Sequence, residues 1–142
     1  MNEDQTAALS IHNSARAAHG LRELQWDQNL ADAATQYAQY LASIGRMQHS
    51  EGSGAGENLF MISPVPRPLQ AASQGWINEG NNYHGEKIPD GNFGSYGHYT
   101  QCMWSSTTNV GMGSAADSNG NFWIVGRYTP LGNWDGQTPY PG

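Results

Sequence analysis

Four side chains able to bind metals or move protons, His49, Glu57, Glu79 and His98, are scattered through the middle of this sequence. Histidine and carboxylate together form a borderline donor set, suited to zinc or another divalent ion. Their separations match no compact zinc motif such as H-E-x-x-H, so spacing alone does not distinguish a metal site from hydrogen-bonded core groups. His98 opens the run Gly97–Trp104, which reads G-H-Y-T-Q-C-M-W and follows a glycine-rich stretch. A loop held by glycines that turns into a short helix would present His98 while burying Trp104. Glu57 stands between Gly56 and the largely apolar Asn58-Leu59-Phe60, and a carboxylate buried there needs a cation or strong donors. Glu79 closes a helical stretch, where an acid opposes the helix dipole, and that small cost points to another use. Ser50 and Ser95 adjoin or neighbour these residues, but nothing in the sequence makes either one a triad nucleophile.

Two further groups have plainer readings. His12 and Arg16 lie one helical turn apart with Asn13 beside them, and they are expected to tie a helix to neighbouring loops by hydrogen bonds. Tyr83, Phe93 and Tyr96 are spaced along a polar, glycine-rich loop. They are candidates for contact with a lipid or partner, although pinning the loop down is the simpler role. Cys102, the single cysteine, lies in a turn expected to be buried and reads as an inert small hydrophobe.

The elements that must position these groups follow from pattern. Residues 3–18 read as a helix with acids in the first turn, stopped by Gly20. Asp27 caps a second helix, whose stripe Leu30, Ala33, Ala34, Tyr37, Ala38 and Leu41 is expected to face the core, and Gly45 ends it. Residues 56–60 read as a short buried strand. Three prolines make 62–68 a loop, and 69–78 is a third helix with Leu69, Ala72 and Trp76 on one stripe. Residues 110–115 and 122–129 are two strands joined by Asp117-Ser118-Asn119-Gly120, a strong hairpin signal. Three helices, a terminal hairpin and one more strand predict an α/β sandwich of mixed layers.

With 142 residues, the chain is one domain by size, here 1–142 with a core over about 6–134 and a loose tail over 135–142. Only 13% of residues are charged and 18 are glycine, a turn-rich composition closer to secreted proteins than to cytosolic ones. A net charge of -6 with no basic cluster disfavours nucleic acid and anionic membranes as partners. One cysteine excludes an internal disulfide, and no apolar run reaches the length of a membrane span. The acidic start Met1-Asn2-Glu3-Asp4 does not read as a signal peptide, though a processed secreted chain with an added Met would look the same.

Four separated signatures resemble the CAP superfamily, the cysteine-rich secretory, antigen-five and pathogenesis-related-one proteins. His12-Asn13-Ser14-Ala15-Arg16 fits its H-N-x-x-R, and Gly56-Glu57-Asn58-Leu59 fits its G-E-N-[LIV]. Gly97–Trp104 fits its G-H-[FY]-T-Q-x-x-W, and 124–134 fits its closing Y-x-P-x-G-N pattern. The resemblance implies a three-layer α-β-α sandwich with a central cleft lined by His49, Glu57, Glu79 and His98. It implies a divalent cation there, zinc before magnesium or calcium, held by the two histidines while the glutamates orient water or neighbouring groups. It further implies a small hydrophobic ligand, a sterol or fatty acid, with Tyr83, Phe93 and Tyr96 as the loop that would meet it. The expected role is a secreted binding protein, monomer or weak dimer. The rivals are a metal-dependent hydrolase with Glu57 or Glu79 as base, and an interaction domain with a vestigial cleft. The family usually has cysteines where Met112 and Gly126 stand. Losing both as a pair resembles the Golgi-associated, intracellular branch, the alternative to secretion.

Overall fold

The computed structural model describes residues 1–141. Four helices and four strands run in the order α1 (Glu3–Ala18), β1 (Gln25–Trp26), α2 (Gln28–Ile44), β2 (Gly56–Ile62), α3 (Pro68–Asn78), α4 (Gly97–Cys102), β3 (Asn109–Ala116) and β4 (Phe122–Thr129). The strands form one sheet in the order β1-β3-β4-β2, with β1 parallel to β3 and the other pairings antiparallel. The period of two along each strand sends alternate side chains to opposite layers. Val110, Met112, Ile124 and Tyr128 join α1, α3 and α4 in one core, while Leu59, Trp123 and Val125 pack with α2 in the other. This is the three-layer α-β-α sandwich.

The helix boundaries agree with their punctuation. Asp27 accepts from the Leu30 amide, and Gly45 closes α2 with a left-handed φ of 64°. Asp4 of α1 caps α3 from a distance, its two oxygens accepting from the Leu69 and Gln70 amides. That tie also staples the two helices of one layer together.

Three sequence expectations need correction. The buried stripe of α2 is Ala31, Ala34, Ala38 and Leu41, whereas Leu30, Ala33 and Tyr37 are only half-buried. The cause lies in β3: a Cβ on Gly111 would come within 2.2 Å of the Ala31 amide nitrogen, and one on Gly113 within 2.5 Å of Thr35 Cα. Two glycines thus let the helix lie against the sheet on its smallest residues. The link before Asp27 contains the edge strand β1, too short to show a period. The tail expected to be loose is strapped down: Ile88 donates to Gln137, Ser105 donates to Pro139, and Tyr140 stacks on His19 at 4.4 Å. Residue 142 of that tail lies outside the described residues.

Candidate functional site

Neighbouring residues of β2 begin the site, because the pleat turns them to opposite layers. Glu57 faces the α2 side and Asn58 the α4 side. Across the ladder Glu57 is paired with Arg127 of β4. The Glu57 side chain retains 6% exposure, and every donor a buried carboxylate needs is present. Its Oε1 accepts from His49 Nδ1 at 2.9 Å and from the Ser50 amide at 2.9 Å. Its Oε2 accepts from the Ser50 hydroxyl at 2.5 Å and from Arg127 Nε at 3.3 Å. Burial alone would push this carboxyl up; the bonds from His49 and Ser50 and the charge of Arg127 outweigh it and hold the group at about 2.

The second half is built on α4. Glu79 begins a 3-10 turn directly after α3, and its Oε1 accepts from the His98 and Tyr99 amides at 3.1 and 3.4 Å. Its Oε2 accepts from His98 Nδ1 at 2.8 Å. The acid that opposes the dipole of α3 therefore caps the start of α4. Trp76 stacks on the His98 ring at 6.1 Å, and Asn58 donates to the His98 carbonyl at 3.0 Å.

Both imidazoles share one arrangement. A carboxylate only accepts, so Nδ1 carries the proton in each ring and the Nε2 lone pair is left for another partner. Among the described residues no protein group bonds either Nε2. His49 and His98 line one cavity of about 240 Å³ with Glu57, Asn58, Phe93 and Asn133. Glu79 stands behind His98, off that lining. Among the described residues no three His, Cys, Asp or Glu side chains gather into a metal-binding group. A cation here would take two imidazole nitrogens and fill its other positions with water or ligand.

The loop aromatics have different settings. Tyr96 has no exposed surface and donates to the Asp90 carbonyl, and Tyr83 donates to the Glu86 carbonyl. Phe93 packs on Tyr96 but also forms a wall of the cavity. The loop is pinned by its own aromatics, and Phe93 alone of the three reaches the hollow.

His12, Asn13 and Arg16 lie outside the cleft and tie α1 to its surroundings. Asn13 brackets Leu24 with two hydrogen bonds, and Arg16 donates to the carbonyls of Arg22, Cys102, Trp104 and Thr107. His12 donates through Nδ1 to the Ala8 carbonyl and accepts through Nε2 from the Tyr128 hydroxyl at 2.7 Å. Cys102 is fully buried beside them, and burial pushes its thiol up to about 12. The native thiol should resist alkylation at mildly alkaline pH and react only on unfolding. Rapid labelling of the folded protein would contradict that placement.

Arg127 is the residue sequence reasoning missed. It is the only charge in the apolar run F-W-I-V-G-R-Y-T, and a lone charge in a strand next to core positions calls for a counter-charge. Met112 and Gly126, where the family usually has cysteines, are direct partners across β3 and β4.

Comparison with known proteins agrees with this architecture. The chain is 39% identical over 134 residues to pathogenesis-related leaf protein 4 of Solanum lycopersicum, covering 93% of this chain and 80% of that one. It is 42% identical over 137 residues to the pathogenesis-related protein PR-1 of Medicago truncatula, covering 93% and 76%. A crystal structure of NaASP2 with Zn2+ superposes with a TM-score of 0.85 at 25% identity, covering 99% of this chain and 86% of that one. The model of the cysteine-rich secretory protein family, CAP, matches residues 9–128, and the chain belongs to that family.

Proposed function

We propose that this CAP domain is an extracellular binding module whose cleft holds a divalent cation between Nε2 of His49 and Nε2 of His98. One observation carries the reading: each imidazole donates a hydrogen bond from Nδ1 to a glutamate, which orients the ring and fixes the tautomer that leaves Nε2 free to ligate. The donors favour zinc, and the likeness to NaASP2, whose structure was determined with Zn2+, supports that choice. The cation would supply a Lewis-acidic centre for a ligand entering beside Phe93. That ligand is the small hydrophobic class, and Phe93 is the wall its apolar part would meet.

The hydrolase alternative has less support. Glu57, held at about 2, is a weak proton acceptor at neutral pH. The Ser50 hydroxyl donates its hydrogen bond to Glu57 and, among the described residues, has no histidine acting on it.

Titration calorimetry of zinc into metal-free protein should give saturable heat near neutral pH. His49→Ala and His98→Ala should each weaken binding at least about tenfold. Affinity should fall in acid, because only an unprotonated imidazole nitrogen ligates. No heat from the wild type would overturn the cation site. Labelled fatty acid and sterol extend the experiment, and failure of both to bind saturably removes the hydrophobic ligand.

A further inference from the structure

We infer that Arg127 and Tyr37, neither of which lines the cleft, are positioning residues that hold His49 in place; the zinc readout of this inference rests on the reading above. His98 is carried by a helix, backed by Trp76 and tied through Glu79 to two backbone amides. His49 has no such carrier. It sits between α2 and β2 outside any helix or strand, with its side chain 63% exposed.

Its position therefore depends on what the loop is fastened to, and those fastenings close a ring. The Tyr37 hydroxyl of α2 donates to the carbonyl of Gln48, the residue before His49. The Arg127 guanidinium of β4 lies 5.3 Å from the centre of the Tyr37 ring. Arg127 Nε donates to Glu57 Oε2 at 3.3 Å, and its Nη2 donates to the Ser50 hydroxyl oxygen at 3.1 Å. Glu57 accepts from His49 and from the Ser50 amide. Residues 48, 49 and 50 are thus each fastened, and Tyr37 or Arg127 holds the outer two. The guanidinium bonds two partners at once while stacking on a ring, a combination an ammonium group does not reproduce.

Nitrogen-detected NMR of the imidazoles in metal-free protein tests this, together with zinc titration. In the wild type His49 should show the Nδ1-protonated tautomer. Arg127→Gln should lose that preference and weaken zinc by about 10–100-fold, with the His98 tautomer unchanged. Arg127→Lys should not restore either property. Tyr37→Phe, which keeps the ring beneath the guanidinium, should shift His49 in the same direction by less, and it serves if Arg127→Gln does not fold. An unchanged His49 tautomer and zinc affinity in Arg127→Gln, or full recovery in Arg127→Lys, would overturn the role of Arg127. No change in Tyr37→Phe would overturn that of Tyr37. If the wild type takes up no zinc, the cation reading fails while the His49 tautomer still decides this one.

Discussion

Replacing Arg16 with methionine should remove roughly 4 kcal/mol of folding stability, a large share of the 5–15 kcal/mol typical of a domain. Arg16 has no exposed surface and, among the described residues, no carboxylate partner. Four backbone carbonyls compensate its charge, those of Arg22, Cys102, Trp104 and Thr107. Methionine fills a similar volume but gives those oxygens no donor, and an orphaned buried acceptor costs about 1–3 kcal/mol. Three of the four lie at the last residue of α4 or just beyond it, so the loss should also loosen the end of α4. Arg16→Lys should fall between, since one ammonium cannot reach all four carbonyls in the planar fork of an arginine. Urea unfolding measures both variants. A loss below about 1 kcal/mol for Arg16→Met would show that water replaces the guanidinium and that the anchor is dispensable.

Acid should weaken the fold in two stages, the first controlled by His12. Burial, with the charge of Arg16 adding to it, lowers this imidazole from 6.5 to about 4, against the bond to Ala8. The unfolded chain therefore binds a proton below 6.5 that the folded chain refuses until about 4. Stability is full above the upper value and falls through the window by about 3 kcal/mol. Glu57 governs the second stage. Its folded value of about 2 lies below the ordinary 4.5, so its contribution is present above 4.5 and lost as pH falls through 2. Urea midpoints measured across this range should decline from near-neutral pH. His12→Gln should flatten the upper stage and leave the lower one. A wild-type curve level between 6.5 and 4.5 would mean that His12 admits water or a proton at little cost.

The first three helices and the hairpin were legible because their residues obey local rules: Asp27 caps, Gly45 stops, and Asn119-Gly120 turns. Gly97–Trp104 was legible as a motif, but its chemistry was not evenly spread. Tyr99, Thr100, Gln101 and Trp104 are all buried scaffolding, with Gln101 accepting from the Gly132 amide, and His98 brings the one side chain of this run that lines the cavity, beside Gly97. Pattern gave the correct periodicity for α2 but the wrong angle. The orientation of that helix depends on Gly111 and Gly113, residues far away in the chain. Strand β1 and the strapped tail depend on tertiary pairing in the same way. Arg127 escaped because its meaning lies in a cross-strand partner, and no local window contains both it and Glu57.

That pairing has a consequence for how accurately β2 must seat. Glu57 and Asn58 are consecutive, yet one is turned toward Tyr37 and the other toward His98. Sliding β2 by a single position along β4 would swap the two: the carboxylate would be thrust into the α4 layer, and an amide would stand where Arg127 expects an anion. The ladder therefore works as a vernier, and misalignment by one notch ruins both histidine mountings at once.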